Sequence, residues 1–509
     1  MPEVRPFSAV GRSANLADLA EVDLDLLVIG GGITGAGVAL QAVQRGYRVG
    51  LVEARDFASG TSSRSSKLVH GGIRYLAQGD VGLVHEALQE RRRLIGLFPD
   101  LVSPLPFLMP IPRGLGKAAT LAAGFWTYDA LSIGSGFPRH KRIGLEEARR
   151  MAPALRRSDI RGAWKYWDAQ TDDAALTVEV LRRAAAAGAL VANYAAVTAA
   201  SRSEAGWRVN VHDSISDAGL SIGCRWLVNA SGVWAEQVEG LAGRQPKTHV
   251  RPSKGVHVSL AAETLPIEAA LIFPVGDGRV LFAVPWHDHV IVGTTDNDYD
   301  GDIVAPGCSP AEEADVLAAV NRFFDLDLGP EAVLSRWAGV RPLVSTGRPG
   351  DRKVATKDIS RKPQIQLDGE GLLTVTGGKL TTFWRMAEDA LRLLPPPASS
   401  NGSHTPGSPG PLVPEEWDQD PLPGAAGYTV GDVRRACDEG MAMQLDDALS
   451  RRLRLSFLDV GAALSAAPEA ARMMASRLGW SDITPHLERY RAHLAREFAG
   501  PVAEAVAKA

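Results

Sequence analysis

The chain has 509 residues, 45% of them hydrophobic and 22% charged, with a net charge of −4 at pH 7. That length suits two or three domains, and that balance excludes a disordered chain, a nucleic-acid-binding protein and a disulfide scaffold. Its three cysteines, Cys224, Cys308 and Cys437, are too far apart for a zinc site and fit a reducing, cytosolic setting. The first residues form no apolar signal core, and no run reaches the 18 or so residues of a spanning helix, so the expectation is a chain neither exported by a standard signal nor transmembrane.

Residues 1 to 22 read as a loosely held arm. Residues 26 to 53, LLVIGGGITGAGVALQAVQRGYRVGLVE, then read as strand, glycine turn, helix and a second strand ending on an acid. Gly30, Gly32 and Gly35 fill G-x-G-x-x-G directly after the first strand, with Thr34 in the same turn. The first glycine allows the turn, the second lets backbone approach a pyrophosphate, and the third lets the helix pack on the sheet. Amides at the helix N-terminus favour phosphate. Glu53 follows Gly35 by 18 residues, the spacing that puts a carboxylate on a ribose 2′-hydroxyl and disfavours a 2′-phosphate. This predicts a dinucleotide site.

Residues 60 to 80, GTSSRSSKLVHGGIRYLAQGD, pack hydroxyls at Thr61, Ser62, Ser63, Ser65 and Ser66 around Arg64 and Lys67, followed by Leu68, His70, Gly71, Arg74 and Tyr75. Such a loop can wrap a diphosphate, whereas without the preceding motif it would read as a solvated turn. Residues 117 to 134 are apolar with Phe125, Trp126 and Tyr128, and Arg139, Lys141 and Arg142 follow. Aromatic residues flanked by cations suit a bilayer surface; a helix buried against the main domain is the plainer alternative.

The strand in CRWLVNASGVWA, 224 to 235, ends on small residues including Gly232, which permit close backbone approach to a ligand. Residues 372 to 391, LLTVTGGKLTTFWRMAEDAL, repeat strand, glycine turn and helix: Gly377 and Gly378 precede Lys379, Leu380 and Thr381, and a helix is expected to start near Thr381. A lysine there can stabilise the anion of a reduced flavin ring. Residues 395 to 423 hold 9 of the 32 prolines and read as a linker. Residues 424 to 509 read as a small α-helical domain, and no internal repeat is evident.

Together VIGGGITGAG (28–37), TSSRSSKLVHGGIRYL (61–76), SKGVHV (253–258), VPWHDHVIVGTTDNDYDGD (284–302), WAGVRPL (337–343) and TGGKLTTFWRMAE (376–388) resemble the aerobic, FAD-dependent glycerol-3-phosphate dehydrogenase family. LDDALSRRLRL (445–455) resembles part of its C-terminal helical domain. The resemblance implies an α/β fold: a Rossmann-like FAD-binding domain interleaved with an α+β substrate domain over residues 23 to 394, plus the helical domain. It implies oxidation of sn-glycerol 3-phosphate to dihydroxyacetone phosphate, hydride passing from C2 to flavin N5 and electrons to a quinone, in the cytoplasm or peripherally on the inner face of the cell membrane. Oligomeric state stays open, a homodimer included.

The resemblance also assigns roles. FAD would be held by Gly30, Gly32, Thr34, Gly35, Glu53, Thr61, Ser62, Ser65, Lys67, Leu68, His70, Gly71, Gly232, Gly377, Gly378, Lys379, Leu380 and Thr381. Substrate would meet Arg74, Tyr75, Arg341, Lys357 and Lys379, arginine offering phosphate a bidentate fork. His257 is the expected base because an imidazole ordinarily titrates near neutrality, with Arg341 and Lys379 stabilising the alkoxide; His70 is its alternative. One departure stands out. Where the family carries a Thr-Arg-acid triplet, this chain has Thr356, Lys357 and Asp358, with Arg352 and Arg361 close by. Either Lys357 binds as a point charge, or Arg361 substitutes, or the polar group recognised is not the usual phosphate. Related flavin enzymes acting on other small hydroxy or amino substrates, or on dioxygen, are the rival readings, and a flavin-binding protein without turnover is a third.

Overall fold

Strand order decides whether turns far apart in sequence can meet. In the computed structural model, which describes residues 7–112, 115–132, 136–156, 158, 160–246, 249–276, 279–345, 362–397 and 415–498, a first sheet runs Gln364–Leu367, Leu372–Thr376, Ala218–Asn229, Leu24–Ile29, Val49–Val52, Leu190–Ala192 in space. Leu24–Ile29 is parallel to both neighbours, Val28 pairing with Val228 on one side and Leu51 on the other. Leu26, Leu27 and Val28 are fully buried, as a parallel strand between two helix layers requires, and each such side chain contributes about 1.5–3 kcal/mol. The chain leaves this strand toward Val49–Val52 on one side, while Ala218–Asn229 arrives on the other. Its carboxyl end is therefore a switch point of the sheet, where open α/β sheets bind ligands.

The helix Ile33–Gln44 is buried along almost its whole length, packed between Asp173–Ala186 and Phe383–Arg392. Glycines make that approach possible. A Cβ on Gly35 would lie 2.0 Å from the Gly30 carbonyl oxygen, and one on Gly37 would lie 2.8 Å from the Phe383 ring.

A second sheet orders Asn297–Asp298, His249–Ala261, His289–Gly293, Arg279–Trp286, Ala270–Gly276, Val102–Pro112, Ile160–Thr171 and Leu68–Val69, with Val333–Ser345 also paired along His249–Ala261. Segments of the two sheets alternate along the chain, so the two domains are interleaved. The helices Val430–Asp438, Val460–Leu478 and Thr484–Glu497 and the π-helical turn Asp447–Arg452 follow. Their apolar faces close on Trp286, Ile291 and Trp337 of the second sheet, making one continuous core.

Three expectations change. Of the N-terminal arm, 1–6 lie outside the described residues, but the rest is not loose: Arg12–Glu21 is a helix with Leu16 and Leu19 buried and Arg12 only 1% exposed. The Arg12 guanidinium donates to the Asn193 carbonyl at 2.9 Å and pairs with Asp213. Of the proline-rich stretch, 398–414 lies outside the described residues, but 415–423 packs with the helical domain. There Asp418 accepts from Arg434 Nε at 2.8 Å, and Leu422 N donates to the Tyr428 carbonyl at 2.9 Å. In the helix Leu115–Leu131, Phe125 and Tyr128 are buried and Trp126 is 63% exposed, so the aromatic trio is divided between core and surface. Among the described residues no helix is long and apolar enough to cross a membrane.

Candidate active site

The carboxyl ends of four parallel strands bring Gly30, Glu53, Gly232 and Gly377 to the rim of one cavity of about 630 Å³. Gly30, at φ +112°, turns so tightly that a Cβ would meet the Ala230 carbonyl oxygen at 2.7 Å. Glu53 is fixed by its own backbone surroundings: Gly31 N donates to one carboxylate oxygen at 2.7 Å and Arg55 N to the other at 3.0 Å. Gly377 and Gly378 are both left-handed, at φ +74° and +78°, and a 3-10 turn, Leu380–Thr382, precedes the helix Phe383–Arg392 that was expected near Thr381.

The hydroxyl-rich loop forms a second wall. Thr61, Ser62, Ser65, Leu68 and His70 line the cavity, and their polar groups also tie the loop down. Ser62 Oγ accepts from Ile33 N at 3.0 Å, Thr61 Oγ1 donates to the Val340 carbonyl at 2.6 Å, and Thr381 Oγ1 accepts from His70 N at 3.2 Å. Gly32, Thr34, Lys379, Leu380 and Thr381 also line the cavity. Three predicted cofactor residues do not. Gly35 serves helix packing, Gly71 gives its N–H to Asp168 at 3.1 Å, and Lys67 is fully buried, its Nζ donating to Asp173 and to the Ser63 carbonyl at 2.7 Å each. Lysine in a serine-rich loop reads as a phosphate ligand, but burial beside a carboxylate makes this one a structural ion pair.

The opposite wall is the second sheet. His257 pairs with Trp337 on one side and Gly293 on the other, and Ser253 pairs with Arg341, so alternate residues put His257, Gly255 and Arg341 on the cavity face. Two glycines clear their space. A Cβ on Gly255 would lie 2.4 Å from an Arg341 nitrogen, and one on Gly293 2.3 Å from the His257 ring. Arg341 is steadied by donation to Thr294 Oγ1 at 2.8 Å and the Thr295 carbonyl at 3.1 Å, with Asp296 at 3.5 Å. Tyr75 lines the cavity too, its ring centroid 3.9 Å from Lys379 Nζ. The Arg74 side chain and all of 346–361, including Lys357, lie outside the described residues.

His257 is 2% exposed and stacks on Trp337 at a ring separation of 5.3 Å. Its Nε2 shares a 2.9 Å hydrogen bond with Ser66 Oγ, and its Nδ1 has no hydrogen-bond partner among the described residues. Burial, then the cations of Lys67 and Arg341, push its pKa down to about 3 against a weaker opposing pull from Asp173. The neutral imidazole is thus favoured, with a pKa well below the near-neutral value of an ordinary imidazole. Strand register places Trp337, Gly255 and Gly293 around His257 and Arg341, while Ser66 comes from the hydroxyl-rich loop and Asp173 from the start of the helix Asp173–Ala186.

A switch-point glycine cradle, an acid at the end of the second strand, and histidine, arginine and lysine side chains around one cavity match the layout of a flavin-type oxidoreductase. Residues 25–389 match the family described as FAD dependent oxidoreductase, and 411–484 match the C-terminal domain of alpha-glycerophosphate oxidase. The glycerol-3-phosphate dehydrogenase of Mycobacterium leprae is 35% identical over 97% of this chain and 92% of its own length. The aerobic glycerol-3-phosphate dehydrogenase of Staphylococcus aureus is 37% identical over 74% of this chain and 68% of its own length. A solved glycerol-3-phosphate dehydrogenase from Bacillus halodurans, complexed with FAD, superposes with a TM-score of 0.74 at 27% identity, covering 96% of this chain and 98% of that one. The chain belongs to the FAD-dependent glycerol-3-phosphate dehydrogenase family.

Proposed function

We propose that the chain oxidises sn-glycerol 3-phosphate to dihydroxyacetone phosphate in this cavity. The observation that carries the reading is that His257, Arg341, Lys379 and Tyr75 line the same cavity as Gly30, Gly32 and Glu53. The residues fit FAD: glycine backbone faces the diphosphate position, Glu53 the ribose, and paired left-handed glycines the ring. When bound, FAD supplies the two-electron acceptor, its N5 taking the C2 hydride. Arg341 holds the phosphate and so orients C2; the family resemblance assigns Arg74 and Lys357 to the same clamp. His257 takes the C2 hydroxyl proton at Nε2, the nitrogen that meets the cavity-lining Ser66. A phosphate dianion beside Arg341 offsets one cause of the low imidazole pKa, so substrate binding strengthens the base. Lys379 stabilises the negative charge that develops opposite it.

Anaerobic addition of glycerol 3-phosphate to the purified yellow protein is expected to bleach the flavin, while glycerol, lactate and glycine do not. Bleaching by lactate or glycine instead would transfer the reading to a related substrate. Electrons then pass to a quinone. The match of 411–484 to a domain of an oxidase favours dioxygen as the second reading, and faster recolouring by air than by a soluble quinone would adopt it.

We also propose peripheral attachment to an anionic membrane surface through exposed Trp126, with exposed Arg139, Lys141 and Arg142 nearby. Vesicles containing anionic lipid should sediment the protein, and Trp126→Ala should weaken that binding several-fold. Equal sedimentation of both forms would place the contact elsewhere.

A further inference from the structure

The segment that resembles the family's helical domain, LDDALSRRLRL, touches residues just behind the cavity wall at two places, Asp56 and Ser63. Arg452 donates to both oxygens of buried Asp56 at 2.7 Å each, and Arg451 pairs with the same carboxylate. Asp56 stands three residues after Glu53, at the ribose end. Arg454, 2% exposed and itself in the left-handed region at φ +68°, donates to the Ser63 carbonyl at 2.7 Å and to Asp173 at 3.2 Å. Lys67 donates to these same two acceptors, and the other Asp173 oxygen accepts from Ser65 N at 2.9 Å. One residue on, Arg64 pairs with Glu497 of the last described helix. The loop whose hydroxyls line the cavity is thus gripped from behind by Lys67, Arg454 and Glu497, none of which lines the cavity, and by Asp173, which does.

We propose that Arg454 is a positioning residue of the FAD site, through which the C-terminal domain sets the conformation of the 61–66 loop. The inference rests on the FAD site proposed above and goes beyond it, because it makes cofactor affinity a property of a domain outside the cavity. Two cations share one carbonyl and one carboxylate. Removing Arg454 leaves Lys67 and Asp173 as a neutral buried pair, and its further partner Asp172, at 3.6 Å, keeps the N–H groups of Ala174 and Ala175 at 3.0 Å each, so the loop keeps an anchor. What is lost is the second donor to Ser63, and with it the placement of Thr61, Ser62 and Ser65. The same loop ends in Ser66, the hydrogen-bond partner of His257, so displacement also reaches the proposed base.

The test compares full-length wild type with Arg454→Met and Arg454→Lys, and with Glu497→Gln, which loosens the same loop at Arg64 without touching Asp173. Arg477→Met serves as control, since Arg477 pairs with Asp438 inside the helical domain. FAD dissociation constants are measured by flavin fluorescence on reconstituted apoprotein, melting temperatures are recorded with and without FAD, and reduction by glycerol 3-phosphate is followed at saturating FAD. Arg454→Met should bind FAD at least tenfold more weakly and reduce more slowly even when saturated, Arg454→Lys should recover part of both, and Glu497→Gln should weaken FAD binding in the same direction. Arg477→Met should lower the melting temperature alone. Should Arg454→Met fail to fold, Arg454→Lys and Glu497→Gln decide the matter. Unchanged FAD affinity and reduction rate, with only a lowered melting temperature, would overturn the proposal. A wild type that does not bind FAD would instead sink the flavin reading itself.

Discussion

Replacing His257 by asparagine is expected to slow anaerobic flavin reduction by glycerol 3-phosphate about 10²- to 10⁴-fold, the scale of losing a positioned general base. Asparagine can keep the hydrogen bond to Ser66 and lies on the far side of the cavity from the glycine turns, so FAD binding should survive. The wild-type rate should carry no ionisation of this imidazole between pH 5 and 9, because burial beside Lys67 and Arg341 sets its pKa at about 3. A wild-type rise centred near 6.5 that the variant lacks would show that the ring sits in a wetter site than described. The sign for stability follows from linkage. The folded pKa lies below the ordinary 6.5, so the stability of the neutral ring is full above 6.5 and is lost as pH falls from 6.5 toward 3. His257→Asn should therefore lose less stability than wild type across that acid range. Near-normal reduction in the variant would reassign the base, with His70 and Lys379 next in line.

Arg341→Ala is expected to lower kcat/KM for glycerol 3-phosphate by about 10²- to 10³-fold, the equivalent of about 2.7–4 kcal/mol. A charge-assisted hydrogen bond alone supplies about 1.5–3 kcal/mol. The remainder comes from orientation, since phosphate binding also holds C2 over the acceptor. Both KM and kcat should change. Arg341→Lys should recover only part, because a point charge cannot serve Thr294, Thr295 and a phosphate with one rigid fork. An unchanged kcat/KM in the alanine variant would mean the clamp lies elsewhere on the cavity wall.

The parts of this molecule that could be read from sequence are those whose chemistry is written in consecutive residues. The glycine turn at 30–35 with Glu53, the serine-rich loop and the Gly377–Gly378–Lys379 turn each announce themselves, and all three line one cavity. Lys67 misled because its partner, Asp173, stands 106 residues away; nothing local distinguishes a lysine offered to phosphate from one sealed against a carboxylate. Ser66 and Trp337 were present in recognisable motifs, yet their bearing on His257 depends on how strands pair. The N-terminal helix was missed for a different reason. Its buried face is half polar, Arg12 and Asn15 beside Leu16 and Leu19, so no apolar stripe marks it.

The pairing of Leu24–Ile29 with Ala218–Asn229 has a consequence for how the protein is made. At about 5–20 residues per second, the ribosome delivers the second strand roughly 10 to 40 s after the first. During that wait an apolar strand, one edge of it unpaired, stands exposed on the nascent chain. Arg451 and Arg452, which neutralise buried Asp56, are synthesised later still. The chain cannot mature one domain at a time from its N-terminus, and its yield in a cell should depend on whatever shields Leu24–Ile29 until its neighbour emerges.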